Sequence, residues 1–195
     1  MSQVQLQRSL AVLFFSFNSV CWAGESAITI RVYSEVALSQ QVLSQAEQEG
    51  TRIFREAKIE TIWVNCEASS TPTDSRCDEA PGPRRLVLRI VPKALSAADS
   101  IFGMAFLSDN GGVYGDVFFD SIETLHRDCG AAVARVLAHV MAHEIGHLLL
   151  GAHSHSSRGI MCASWHAQQL RMIAMGGLFF TPEQAHTMKT RIFSM

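Results

Sequence analysis

The sequence predicts a single α+β domain in which a β-sheet packs on a long helix and on a buried helix, with a further helix at the C-terminus. Three observations lead to this prediction. Short alternating or apolar stretches typical of strands occur before residue 120. Residues 131–150 have helical periodicity but are apolar over much of the circumference, as in a helix deep inside a protein. The length suits one domain with a substantial core.

The first 23 residues have the features of a secretory signal peptide, so the domain is placed at residues 24–195. Arg8 precedes an apolar run over residues 10–20, and small side chains follow at Cys21 and Ala23. That run is short for a membrane span, and no later stretch is expected to reach the necessary length. We therefore expect an exported protein, secreted or periplasmic, without a stable membrane anchor. A lipid anchor on Cys21 is the weaker interpretation.

The first half of the domain predicts three strands and one helix. Residues 27–35 alternate between apolar and polar side chains, which indicates a strand with one buried face. Residues 39–58 have helical periodicity, although Gly50 weakens the middle. Residues 59–64 predict a second strand. Residues 86–91 predict a third, and because they are nearly all apolar we expect that strand to be central.

Two shorter strands, residues 103–107 and 112–119, flank a hairpin-type turn at residues 109–112. A short helix capped by Asp120 or Ser121 is expected to follow. The next helix is the buried one described above.

Two helix ends have clear signals. Gly151 is the natural stop for the helix at residues 131–150. Thr181, Pro182 and Gln184 give the last helix a cap, a first-turn proline and a capping box.

The charge pattern argues against one class of partner. The formal net charge is −2 and no run of Lys or Arg occurs, so we expect no nucleic-acid binding. The sequence does not indicate an oligomeric state.

Four cysteines follow the signal peptide: Cys66, Cys77, Cys129 and Cys162. An even count in an exported protein favours two disulfides. Pairing Cys66 with Cys77 would close a polar loop, and pairing Cys129 with Cys162 would join the ends of the histidine-containing segment. Other pairings, or two buried thiols, remain open. A thiolate zinc site is disfavoured because no C-x-x-C pair occurs.

His143, Glu144 and His147 follow the H-E-x-x-H pattern. Two histidines four apart on a helix lie one turn above each other, so both imidazoles can reach one metal ion. Glu144 projects about 100° further round the helix, beside the metal, where it can take a proton from water. A catalytic zinc keeps one of its four positions for water and so needs a third protein ligand. His153 and His155 are the two candidates.

The alternative is a cluster of core histidines satisfied by hydrogen bonds. The motif interrupts the apolar face of a buried helix, where unpaired imidazoles are costly. One metal ion would satisfy both rings, which favours a metal site. His139, one turn before His143, is expected to pack beside the site and not to bind the metal, since two helix ligands and one beyond suffice.

This segment resembles the zincin metallopeptidases, particularly the metzincin group, whose signature is H-E-x-x-H-x-x-G-x-x-H followed by a methionine turn. His143, Glu144, His147 and His153 fall on that pattern. Residues 159–161 (Gly-Ile-Met) resemble the turn whose methionine lies beneath the metal, which assigns that position to Met161.

The sequence departs from the signature at one position. Gly151 lies one place later than the signature glycine, and Leu150 occupies that slot. The run through Ser154-His155-Ser156 also resembles small exported bacterial zincin-like proteins. That second resemblance favours His155 over His153 as the third ligand.

The resemblance implies a zincin-like fold with a mixed sheet, one zinc ion, and hydrolysis of peptide bonds in a peptide or protein substrate. Glu144 would act as general base on a zinc-activated water and pass the proton to the leaving amine. It also implies a strand edge that pairs an extended peptide, for which residues 112–119 are the candidate. The alternatives are a zinc-binding protein of this fold with little or no proteolytic activity, or a hydrolase of a small amide or cell-wall substrate.

Four further side chains are secondary candidates. His126, His166 and Tyr114 are considered for stabilising an oxyanion, and Trp165 for lining a substrate pocket. An ordinary surface or core role is the alternative for each.

Overall fold

The computed structural model describes residues 27–67, 74–94, 102–108 and 111–194. The predicted signal peptide and the first two residues of the predicted hairpin turn lie outside these ranges. The elements within them are β1 (Ala27–Ser34), α1 (Gln40–Glu56), β2 (Glu60–Cys66), a 3₁₀ turn (Ser75–Asp78), β3 (Arg85–Val91), β4 (Gly103–Ser108), β5 (Gly111–Phe118), α2 (Phe119–Cys129), α3 (Val133–Leu150), α4 (Ala167–Ala174) and α5 (Pro182–Ser194).

The five strands form one mixed sheet in the order β2-β1-β3-β5-β4. All neighbours are parallel except β4, which runs antiparallel to β5. The third strand of the sequence is central, as predicted. The expectation that residues 112–119 form a sheet edge is wrong, because β5 pairs with β3 on one side and with β4 on the other. The second half of β5 is fully buried and suits an interior position, whereas most of β4 is exposed.

Side chains alternate between the two faces of the sheet. One face, the helix face, packs on α1 and α3. Its core includes Ile30, Leu88 and Ile90 from the strands, with Phe54 from α1 and Met141 from α3 as partners, all fully buried. The opposite face, called the outer face below, carries the alternate residues of β1, β3, β5 and β4. The helix face therefore holds the main core and positions α3.

Helix α3 lies at the centre of the domain. By length and composition alone it is apolar enough to cross a membrane, contrary to the expectation that no stretch after the signal peptide would be. However, 83% of it is buried inside the domain. It packs against α1, β5 and β4 on one side and against α2 and α5 on others. The apolar character of α3 is accounted for by this position in the core.

The glycine that weakens α1 has a packing role. A Cβ at Gly50 would lie 2.8 Å from the Trp63 ring of β2. The indole Nε1 of Trp63 donates a hydrogen bond to Thr51 Oγ1 at 2.9 Å. The absence of a side chain at position 50 therefore lets α1 approach the sheet through Trp63.

The predicted ends of α3 and α5 are confirmed. Gly151 follows the last residue of α3 with a positive φ of 81°. Before α5, Thr181 N donates to Gln184 Oε1 at 2.9 Å and Gln184 N donates to Thr181 Oγ1 at 3.3 Å. This reciprocal pair is the predicted capping box.

Two helix predictions near the site differ from the structure. Helix α2 begins at Phe119 and has no side-chain cap, so Asp120 lies inside its first turn and does not precede it. Asp120 N instead donates to the carbonyl of Pro92. Helix α4 was not predicted; at eight residues it is too short for a clear periodic signal.

The disulfide prediction is half right. Cys66 and Cys77 form a disulfide, as expected. Cys129 and Cys162 are free, so the predicted second disulfide is not formed. Cys129 ends α2 and is half-buried, whereas Cys162 is buried in the turn before α4, where its Sγ accepts a hydrogen bond from Gln169 Nε2 at 3.7 Å. The two thiols occupy separate environments.

We expect that replacing Cys66 and Cys77 together by serine destabilises the domain by about 3 kcal/mol, since the bond closes a short loop that is free in the unfolded chain. Urea unfolding of the variant and of the parent protein, both starting after residue 23, measures this difference. A reductant should lower the stability of the parent and leave the variant unchanged. Thiol titration of the unfolded, unreduced parent should find only Cys129 and Cys162; finding neither would show that they pair.

Candidate metal centre

Helix α3 brings the two motif histidines together at its C-terminal half. The Nε2 atoms of His143 and His147 are 3.0 Å apart. Each ring is held by a partner at its other nitrogen: Nδ1 of His143 lies 2.8 Å from the Ile160 carbonyl oxygen, and Nδ1 of His147 lies 2.8 Å from Ser154 Oγ. Because a carbonyl only accepts hydrogen bonds, the His143 proton resides on Nδ1 and its Nε2 presents a lone pair.

The third histidine comes from the segment after α3. The candidate ligand atoms of His143, His147 and His155 all lie within 4.8 Å of one another. The His155 ring centroid is 4.6 Å from that of His147 and 5.5 Å from that of His143. The structure thus brings together the set that the sequence analysis favoured.

His153 is placed differently. It is exposed and adopts a φ of 59°, in the left-handed region that non-glycine residues seldom occupy. The chain leaves α3 at Gly151 and turns through this residue, so that Ser154 reaches His147 and His155 reaches both rings. The late position of the glycine relative to the metzincin signature therefore coincides with a later histidine in the cluster.

The donor set fits zinc. Burial, with a smaller contribution from the neighbouring histidines, lowers the pKa of His143 to about 3 and that of His147 to about 4. Both rings are therefore neutral at physiological pH, the state in which imidazole binds a metal. The 3.0 Å between their Nε2 atoms is close to the spacing of about 3.3 Å that two ligands of a tetrahedral zinc require. Three imidazoles, of which that of His155 is exposed, match the protein ligands of a zinc site that keeps a fourth position for water.

Met161 packs against α3 at Gly146, the residue before His147. Its side chain is fully buried, and a Cβ at Gly146 would lie 2.5 Å from its Sδ. Gly146 sits on α3 between the two histidines, so its missing side chain makes room for the methionine. The turn that carries Met161 includes Gly159 at a φ of 77°.

Glu144 is 3% exposed and faces the beginning of β4. A Cβ at Gly103 would lie 2.7 Å from Glu144 Cγ and 2.2 Å from the Asp116 carbonyl oxygen. Burial raises the pKa of Glu144 to about 8, with a smaller contribution from the negative charge of Asp116. A cation at the histidine cluster would favour the ionised form that a base needs. The carboxyl group is thus packed against the start of β4, on the residue that follows His143 in α3.

Three residues that support the site were missed in the sequence analysis. Gly103 allows β4 to approach Glu144; a glycine at the start of a predicted strand is a known sign of close approach and was the available signal. Ser154 supports His147, and Asp116 adds charge near Glu144. Neither of these had a recognisable sequence signal.

Of the four secondary candidates, Trp165 lies next to the cluster, with its ring centroid 5.7 Å from that of His143, and the other three lie elsewhere. Trp165 is buried, stacks on Phe102 at 4.4 Å and donates from Nε1 to the Ile160 carbonyl at 3.2 Å, so it packs behind His143. Tyr114 lies on the outer face of the sheet. His126 and His166 are at the end of α2 and the start of α4.

His139 takes the packing role that was expected. It is fully buried, and its Nδ1 lies 2.7 Å from the Arg135 carbonyl oxygen of the same helix. It is not among the three clustered histidines.

Part of the chain matches the model of a known peptidase family. Residues 92–175, which contain the histidine cluster, match the family model described as Matrixin. No curated protein is significantly similar to the chain in sequence.

Two solved structures share the fold. A zinc-dependent peptidase from Methanocorpusculum labreanum is similar with a TM-score of 0.55 and 13% identity, over 82% of this chain and 99% of that one. Archaemetzincin from Methanopyrus kandleri is similar with a TM-score of 0.53 and 13% identity, over 86% and 96%. The fold is therefore zincin-like, as the sequence analysis predicted.

Together, the fold, the Matrixin match and the three histidines define the class: a metzincin-like domain with a site suited to zinc. The resemblance drawn from the sequence is confirmed.

Proposed function

We propose that the protein is an exported zinc endopeptidase that uses one zinc ion held by His143, His147 and His155. The observation that carries the proposal is the convergence of these three imidazoles, with Glu144 buried beside them. Zinc, when bound there, would supply a Lewis acid for the scissile carbonyl and lower the pKa of water.

The residues of the chain would divide the remaining work. Glu144 accepts a proton from the attacking water and returns it to the leaving amine. The Ile160 carbonyl and the Ser154 hydroxyl fix the orientation of His143 and His147. Met161, the turn methionine of the metzincin resemblance, packs against α3 at Gly146 and would support the helix that carries the two histidines.

The strand β4 offers a binding surface for an extended peptide. It is the edge of the sheet, and its first residue contacts Glu144. A peptide that pairs with this edge would run past the carboxyl group and the histidines. Strand β4 thus replaces β5, the strand that the sequence suggested for this role, because β5 is an interior strand of the sheet.

Export is proposed from the signal-peptide features of residues 1–23. The Cys66–Cys77 disulfide is consistent with an oxidising compartment. These features are equally compatible with secretion into the medium and with a periplasmic location.

The ligand assignment is tested by replacing each candidate histidine. Zinc measured by elemental analysis after dialysis should be near one ion per chain in wild type and in His153→Ala, and should fall well below half in His155→Ala. His153→Ala removes an exposed imidazole outside the cluster, whereas His155→Ala removes a member of the cluster. The reverse pattern would overturn the assignment, and absence of zinc from wild type would overturn the metal site.

Activity is tested with the same three proteins on casein and on a library of fluorogenic peptides. The endopeptidase proposal expects cleavage by wild type and by His153→Ala, and loss in His155→Ala. Zinc-loaded wild type that cleaves no peptide would contradict the proposal and favour a small-amide hydrolase or a silent zinc-binding domain.

A further inference from the structure

The outer face of the sheet carries a groove that the metal centre does not use. Its volume is about 640 Å³. Strand residues Arg31 and Val87 form its base, and the residues around it include Pro81, from the segment before β3. Because successive side chains of a strand point to opposite faces, the sheet separates this groove from the core beneath α3.

Arg31 is the unusual residue of the groove. Its side chain is only 4% exposed. Nη1 donates to the carbonyls of Cys77 at 2.8 Å and Glu79 at 2.6 Å. Among the described residues, the buried Nε and Nη2 atoms have no hydrogen-bond partner, and none of the ion pairs includes Arg31. A buried cation without a counter-ion is costly, so a bound anion would stabilise Arg31.

The other charges of the groove do not supply this anion. Asp116 is the carboxylate among the lining residues, and it accepts two hydrogen bonds from Arg89, at 2.8 and 2.7 Å. This bidentate pair is neutral as a unit. Arg89 also lies 3.5 Å from the Glu35 carboxylate. Arg31 is therefore the lining cation that no ion pair among the described residues neutralises, and a single carboxylate would match its charge.

The walls of the groove are aromatic. Phe106 of β4 and Tyr114 of β5 are directly paired in the sheet and are 49% and 46% exposed. Tyr33 of β1 completes this set. Large aromatic side chains exposed side by side next to a buried cation indicate a ligand that has an apolar body as well as a charge.

We propose that this groove binds a carboxylate carried on an aromatic-sized apolar body. The carboxylate would pair with the planar guanidinium of Arg31, for which its two oxygens are a geometric match. The body would lie against Phe106 and Tyr114. Two sources have this chemistry, a free aromatic acid and the C-terminal residue of a peptide. Neither requires the metal centre.

The tyrosines give a direct readout. The chain contains two, and both line the groove. Protein labelled with 3-fluorotyrosine therefore gives two ¹⁹F resonances, which report on Tyr33 and Tyr114. Titration with 3-phenylpropanoate and with acetyl-Gly-Phe bearing a free carboxylate should shift both resonances saturably. The corresponding amides should bind about tenfold more weakly, because a charged hydrogen-bonding partner is lost. Tighter binding of acetyl-Gly-Phe than of phenylpropanoate would identify a peptide terminus as the preferred source, and the opposite order a free acid.

Variants locate the binding. Arg31→Gln should remove the preference for acid over amide. Phe106→Ser should weaken the binding of the acids and of the amides by similar factors. Because this substitution is at an exposed position, it keeps the test valid if Arg31→Gln does not fold. Ile62→Ser, exposed on β2 at the other edge of the sheet, is the matched control and should change neither.

His155→Ala separates the groove from the metal centre. Binding should persist in this variant, since the groove does not involve the histidines. Loss of binding in His155→Ala would place the carboxylate at the metal and overturn the proposal. Equal binding of acid and amide to wild type, or no shift of either resonance, would overturn it as well.

Discussion

Glu144→Gln is expected to lower peptide hydrolysis about a thousandfold while zinc content stays near one ion per chain. The general base contributes between about a hundredfold and ten-thousandfold in enzymes that use one. Glutamine preserves the size of the side chain against Gly103 and cannot accept a proton. His143 and His147 are held by the Ile160 carbonyl and the Ser154 hydroxyl and not by Glu144, so the metal site should remain.

The stability of the metal-free protein gives an independent check. Burial raises the pKa of Glu144 to about 8, which shows that the ionised carboxylate is disfavoured at this place. A neutral amide should therefore leave the free energy of unfolding of the metal-free protein unchanged or higher. A drop in stability together with loss of activity would indicate a structural role instead.

Glu123→Gln is the matched control. Glu123 is an exposed glutamate of α2, so the same chemical change should alter neither zinc content nor activity. Zinc content, and initial rates at equal zinc loading, are measured for wild type, Glu144→Gln and Glu123→Gln. These measurements test whether Glu144 is the general base. Unchanged hydrolysis by Glu144→Gln would exclude this residue as the base.

The fold was largely readable from the sequence because its elements have strong local signals. The alternation of β1, the continuous apolar run of β3, and the cap and stop signals of α3 and α5 each reflect local chemistry that tertiary packing reinforces. Strand order is different. Whether β4 or β5 forms the edge depends on long-range pairing with β3, for which the hairpin sequence has no signal.

The site was readable to the extent that it is local to α3. His143, Glu144 and His147 follow from helical spacing alone. The third histidine depends on the path of the chain after Gly151, which is set by the left-handed turn at His153 and by Ser154 reaching His147. The fate of Cys129 and Cys162 likewise depends on where α2 ends relative to the turn before α4, which spacing along the chain does not determine.

Gly103→Ala is expected to reduce activity about a hundredfold and to lower the free energy of unfolding by about 1–3 kcal/mol. The new Cβ would lie 2.2 Å from the Asp116 carbonyl oxygen and 2.7 Å from Glu144 Cγ. The first contact is with the backbone of the paired strand, so β4 must move away from β5, which strains a packed region. The second displaces the proposed base, and an error of about 1 Å in such a group costs about two orders of magnitude in rate.

The two effects can be separated. The zinc content of Gly103→Ala should remain near that of wild type, since Gly103 contacts Glu144 and not the histidines. Adding Gly103→Ala to Glu144→Gln should lose little further activity, because both substitutions act on the same carboxyl group. Gly177→Ala is the control for adding a methyl group, because the nearest atom to its Cβ is 3.9 Å away. Wild-type rates in Gly103→Ala would mean that β4 can shift without moving Glu144, and the edge strand would then not be the element that sets the position of the base.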